Sequence, residues 1–148
     1  MKKVLWMMLV IGAIASSCKK YEYHQTLKKI YGTYTVTNYT VDGVDSLSLF
    51  KDSLSTNFEF YYNDYNSAYV LKIEGYTTLL KKVFIMQTWT LTYNQTLYLW
   101  NAASDPVIGT GPFGVHKEST WTIIDISGSN LIMTSTYHGK QYNIELRK

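Results

Sequence analysis

The chain has a single cysteine, Cys18. An intramolecular disulfide is therefore excluded, and any core must hold without a covalent staple. Only two prolines occur, Pro106 and Pro112, and both fall in one segment, so the rest of the chain runs free of that breaker. Arginine appears once, at Arg147, and the net charge is only +3 over 148 residues. The lysine pairs Lys28-Lys29 and Lys81-Lys82 stand apart. There is no basic stripe to follow a phosphate backbone, so nucleic acid is not an expected partner. Long apolar runs are also missing. The longest, Val4 to Ala15 (VLWMMLVIGAIA), would cover about 18 Å as a helix, against a hydrocarbon core of about 30 Å.

What that short run does have is context. Lys2 and Lys3 precede it, small residues Ser16 and Ser17 follow it, and Lys19-Lys20 stop it. This order is that of a secretory signal peptide. The stretch Ala15-Ser16-Ser17-Cys18 resembles the lipobox of bacterial lipoproteins, with Ala15 where Leu is usual. The resemblance implies a diacylglyceryl group on the Cys18 thiol, cleavage just before it, and acylation (palmitate-type chains) of the new amine. Two or three acyl chains, at about 0.8 kcal/mol per buried CH₂, would hold the protein on a membrane. Lys19 after the cysteine, in place of Asp, fits outer-membrane sorting under the bacterial rule. The expected division is a signal peptide over 1–17, a lipidated tether over 18–26 and one domain over 27–148. Cleavage would remove Lys2 and Lys3 and bring the net charge from +3 to +1.

The remainder is rich in Tyr, Thr, Val, Ile and Phe, residues that suit a pleated surface. The clearest strand is Lys140 to Arg147, where Tyr142, Ile144 and Leu146 alternate with Gln141, Asn143, Glu145 and Arg147. Asn130 to Tyr137 precedes it across the turn His138-Gly139, and Ser119 to Ile126 comes before that. Further strands are expected at Ile30 to Val41, Thr56 to Tyr62, Ala68 to Glu74, Val83 to Tyr93 and Thr96 to Asn101. Leu27 to Tyr31 fits one helical turn. Val44 to Ser55 has an ambiguous period, and Ala102 to Lys117, with both prolines and three glycines, reads as a long loop. Short connections imply an antiparallel meander, and eight strands lose their edges by closing on themselves. The expectation is an all-β fold, an eight-stranded antiparallel up-and-down barrel.

Several short motifs resemble the lipocalin-like lipoprotein domains of bacteria. They are Gly32-Thr33-Tyr34-Thr35-Val36, Val41-Asp42-Gly43, Trp121 to Ile126, Leu131-Ile132-Met133 and His138 to Leu146. The resemblance implies a small calycin-type barrel. Lipocalins place a tryptophan where this chain has Tyr34, and a basic residue near the last strand crosses that ring. Arg147 is the residue expected there, by a cation–π contact.

Such a barrel has room for side chains or one small ligand. The expected ligand-facing residues are Phe58, Phe60, Ile85, Trp89, Leu99, Trp121, Met133 and Tyr142, with Leu97, Ile123, Ile144 and Leu146 also pointing inward. For any single one of these residues a place in a filled core is the commoner outcome, since apolar residues are usually just buried. Catalysis is not expected. His24, His116 and His138 lack the spacing of a metal site, and no nucleophile elbow or phosphate-binding loop is present. No cofactor and no metal are anticipated. Tyr61, Tyr65 and Tyr69 cluster near one hairpin, with Tyr21 and Tyr23 in the tether, and suit a protein or glycan contact face. Asp45-Ser46-Leu47 and Asp52-Ser53-Leu54 resemble an O-glycosylation acceptor of exported bacterial proteins. The sequence thus points to an envelope lipoprotein, moored at Cys18, that binds a small apolar or amphipathic molecule without catalysis. The alternative is a structural or protein/glycan-interaction subunit with a filled barrel.

Overall fold

The computed structural model describes residues 23–76, 82–92, 95–101, 113 and 118–148. Cys18, the signal peptide, Tyr21, His116 and most of the segment between Ala102 and Lys117 lie outside the described residues. So does the side chain of Ile85.

The described residues form nine strands: β1 (Gly32–Val41), β2 (Val44–Asp45), β3 (Leu54–Asn63), β4 (Ala68–Tyr76), β5 (Lys82–Leu91), β6 (Thr96–Asn101), β7 (Ser119–Ser127), β8 (Asn130–Tyr137) and β9 (Lys140–Arg147). All pairings are antiparallel, and β1 pairs with β9, so β1 and β3 to β9 form a closed eight-stranded barrel. The two-residue β2 only extends the edge of β1. The expected up-and-down barrel is what the chain forms.

Two turns show why the register is fixed. Asp42-Gly43 and His138-Gly139 both have positive φ at both positions (51° and 78°, 49° and 77°). That is the turn geometry whose twist matches the flanking strands. Neighbouring turns are then tied together: the Asp42 amide donates to the Gln141 carbonyl, and the Gln141 amide donates to Asp42 Oδ1, both at 2.8 Å.

Helix α1 spans residues 23–30 and lies at the lower end of the barrel, where β1 begins. It is longer than the single turn expected at Leu27 to Tyr31. Thr26, Leu27 and Ile30 form its buried face, at a spacing that lies along one side of a helix, while Lys28 and Lys29 are exposed. The packed part of the chain thus starts before Leu27. Helix α2 (Leu47–Ser53) resolves the ambiguous segment and sits at the upper end. The Leu47 amide bonds to Asp45 Oδ1 at 3.0 Å, and the Phe50 amide bonds to the Ser46 carbonyl at 3.0 Å, which starts the helix. The helix brings Phe50 into the core, 3% exposed. Ser46 is buried, with its hydroxyl donating to the Val44 carbonyl at 3.1 Å, so it is not an open glycosylation acceptor in the folded protein. The Ser53 side chain is outside the described residues.

The basic contact over Tyr34 comes from a different residue than expected. Leu146 points inward, so Arg147 points out and is exposed. One residue on, the Lys148 ammonium reaches back over the Tyr34 ring, 4.9 Å from its centroid, and donates to the Lys29 carbonyl at 2.8 Å. The Tyr34 hydroxyl donates to that same carbonyl at 2.8 Å. Period-two alternation excludes Arg147 and selects Lys148. Gly32 makes room for the latch: its φ is 131°, and a Cβ there would stand 3.1 Å from Lys148 Cε.

Candidate ligand site inside the barrel

Among the aliphatic side chains of the interior, the aromatic rings fall into two groups. Toward the lower end, Trp89 meets Tyr69 (4.9 Å between centroids), Phe60 (5.9 Å) and Tyr31 (6.2 Å), and Phe60 meets Tyr34 edge-on at 5.8 Å. Toward the upper end, Phe113 stacks on Trp121 at 4.8 Å and meets Phe58 edge-on at 5.2 Å. Phe50 joins Phe58, Phe113 and Tyr39 there, and Tyr142 lies against Tyr39. These offset and edge-on geometries are the favourable ones for ring quadrupoles.

Seven of the eight residues expected to face a ligand can be placed. Phe58, Phe60, Trp89, Leu99, Trp121, Met133 and Tyr142 are all buried in the barrel core. Leu97, Ile123, Ile144 and Leu146 join them. The tyrosine cluster expected near the β3–β4 hairpin is divided. Tyr69 points inward against Trp89, Tyr61 points outward toward Met86 Sδ at 4.0 Å, and Tyr65 is 95% exposed in the turn. His24 and His138 lie at opposite ends of the barrel, and no cluster of three potential metal ligands forms among the described residues.

Several interior residues lie outside the expected set, Phe50 of α2 among them, and three more bear on the site. Phe113 comes from the proline- and glycine-bearing segment and is fully buried. Its neighbours in sequence gave no period to place it. Gln87 lies on the inward face of β5, in phase with Trp89 and Leu91, and is 0% exposed. Neither its amide nitrogen nor its amide oxygen has a hydrogen-bond partner. Ser135, on β8, also has an unpartnered buried hydroxyl. The alternation Ile85-x-Gln87-x-Trp89-x-Leu91 was the available signal for Gln87: one amide set in an apolar stripe.

The indole nitrogens sharpen the contrast. Trp121 Nε1 donates to Ser119 Oγ at 3.1 Å, whereas Trp89 Nε1 has no partner. Gln87 and Trp89 stand two residues apart on one face, so unmet donors and an unmet acceptor lie along about 7 Å of one strand. Leaving such groups dry costs about 1–3 kcal/mol each.

The buried side chains of the described interior include no Asp, Glu, Lys, Arg or His. Burial pushes the Tyr34 hydroxyl up to about 12 and, with Tyr142 nearby, raises Tyr39 further. At the lower rim, burial and then Tyr69 push Tyr31 up to about 12. Among the described residues the barrel interior is therefore apolar and uncharged, with a few polar atoms at fixed positions. Two surface depressions are separate from it. One, about 390 Å³, lies between Gln25, Thr26 and Lys29 of α1 and Ile124 to Ile126 of β7. The other, about 280 Å³, lies on the outer wall around Thr37, Glu145 and Arg147.

No protein-family model matches this chain, and no curated protein matches it significantly. Two solved structures are similar in shape. A lipocalin-like protein from Bacteroides uniformis ATCC 8492 has 15% sequence identity, with 81% of this chain and 98% of that chain covered at a TM-score of 0.48. An uncharacterized protein from Bacteroides eggerthii DSM 20697 has 12% identity, with 78% and 97% covered at a TM-score of 0.46.

Proposed function

We propose that this protein is a non-catalytic binding protein of the bacterial envelope, anchored through Cys18, whose barrel takes up one small apolar or amphipathic molecule. The observation that carries the binding reading is Gln87, fully buried with both amide atoms unpaired. A core selected only for stability would place an aliphatic side chain there, because a dry amide works against folding. An aromatic-lined chamber with a few fixed polar atoms is the usual make-up of a small-molecule site. The anchoring part rests on the order of the N-terminal residues, and α1 at the lower barrel end would then face the membrane. Native mass spectrometry of a Cys18→Ser form recovered from the envelope compartment tests the binding part. A reproducible adduct that is lost on denaturation supports it, and a clean apo mass overturns it. Metabolic labelling with a palmitate analogue tests the anchor: label on the parent and none on Cys18→Ser is expected.

A second reading has its own observation. Met86, Tyr98 and Trp100 are 47%, 43% and 37% exposed on the outer face of β5 and β6. Cross-strand partners there are threonines, Thr88 opposite Trp100 and Thr90 opposite Tyr98. Large apolar side chains grouped on one outer wall suit contact with a protein or glycan. A pull-down that loses its partner when Trp100 is changed to Ser would favour this role.

A further inference from the structure

From the geometry around Gln87 we infer the chemistry of the ligand's polar end: a neutral group presenting a hydrogen-bond donor beside an acceptor, as an amide or lactam does, and not a carboxylate. This rests on the reading that the barrel binds a small molecule. Three features of the interior support it.

The first is complementarity. Gln87 offers an unpaired N–H donor and an unpaired carbonyl acceptor from one planar amide. A ligand amide can satisfy both at once, its carbonyl accepting from Gln87 Nε2 while its N–H donates to Gln87 Oε1. A carboxylate is acceptor-only and would leave Oε1 unpaired and opposed by negative charge.

The second is charge. The buried polar side chains of the described residues are Thr26, Ser46, Gln87, Ser119 and Ser135, none of them ionisable near neutral pH. Two described cations near the barrel ends are turned to another task or to solvent: Lys148 covers Tyr34 at the lower end with its ammonium on the Lys29 carbonyl, and Arg147 faces out. An ionised head drawn into the barrel would be a buried charge with no counter-ion among the described buried residues, which is strongly unfavourable.

The third is the distribution of unmet groups. Trp89 Nε1 adds a donor two residues from Gln87 on β5, and Ser135 adds a hydroxyl on β8, three strands round the wall. With the Gln87 amide, these are the only unpaired buried polar side-chain atoms among the described residues, and the side chains around them are apolar or aromatic. The body of the ligand is apolar and its head meets β5.

The test compares dodecanamide with dodecanoate, two probes that share an apolar tail and differ in the head. Binding is read by tryptophan fluorescence and calorimetry on the full domain, above the carboxylic pKa. Dodecanamide is expected to bind about tenfold or more tightly than dodecanoate. In the near-isosteric Gln87→Met variant that preference is expected to fall to near unity, while the thermal midpoint of the ligand-free protein stays level or rises. Equal or tighter binding of dodecanoate to the parent protein overturns the inference and leaves the binding reading intact. Retention of the amide preference in Gln87→Met does the same. If neither probe binds the parent, the binding reading falls and takes this inference with it. The parent comparison alone decides the head-group question should the variant fold poorly.

Discussion

Phe113 offers a demanding test of how the barrel is filled. Its ring is fully buried, stacked on Trp121 at 4.8 Å with planes 18° apart, and edge-on to Phe58 at 5.2 Å. Phe50, delivered by α2, meets it at 6.1 Å. Phe113→Ala removes the ring and leaves a cavity bounded by three aromatic faces held by separate strands and a helix. Those walls cannot collapse together without shifting the barrel register. The cost should therefore lie in the usual range for Phe→Ala at a packed site, about 3–5 kcal/mol. With a urea m-value of about 2 kcal/mol/M, the midpoint would drop by about 1.5–2.5 M. Equilibrium urea unfolding, followed by far-UV circular dichroism and by tryptophan emission, measures it. Both probes should shift together, and the native emission should change as Trp121 loses its stacked partner. A loss below about 1 kcal/mol would show that the ring is not part of the packed interior, and the description of the upper end would be wrong.

The Tyr34 latch predicts an asymmetry between adjacent residues: Lys148→Met should lower stability by about 1 kcal/mol, and Arg147→Met by nearly nothing, in the same urea assay. Alkaline stability follows from the buried phenols. Tyr34 is held at about 12, above the ordinary 10.0, chiefly by burial, so the folded state keeps a proton that the unfolded state gives up. That contribution is intact below pH 10 and is lost as pH rises toward 12, so the urea midpoint should fall across that window and fall less steeply in Tyr34→Phe. Spectrophotometric titration near 295 nm should show the same late-ionising tyrosine. At the hairpin tip, Gly139 has φ of 77°, and Gly139→Ala should cost about 1 kcal/mol with the fold retained; no measurable loss would mean that the turn is not held in that geometry.

The parts of this molecule legible in the sequence are those where alternation runs unbroken. In β9, Tyr142, Ile144 and Leu146 are buried as their spacing implied, and β8 spans Asn130–Tyr137 as expected, whereas β1 starts at Gly32, two residues after the expected Ile30, which belongs to α1. Where a strand carries a bulge, the reading degrades. The register shift between Val36 and Asn38 lets β1 bury Val36 and then Tyr39, which strict alternation forbids. A similar shift between Ile123 and Asp125 changes the phase of β7. Nothing local signals either bulge, because both answer to the closure of the barrel. Phe50 and Phe113 were hidden for a related reason. Each reaches the core from a short helix or an aperiodic segment, and only tertiary packing decides its burial. Gln87 and Lys148 are different. Both are readable by counting in twos, from Trp89 and from Leu146, because the alternation is unbroken at each.

If the barrel keeps its interior amide for a guest, that guest should be visible in a crystal structure of the domain purified without delipidation from its own envelope, at a resolution that shows ordered water. Continuous elongated density is expected inside the barrel, ending in a group within hydrogen-bonding distance of both Gln87 Nε2 and Oε1. Isolated waters on Gln87, Trp89 Nε1 and Ser135, with rings closing the rest of the chamber, would contradict it.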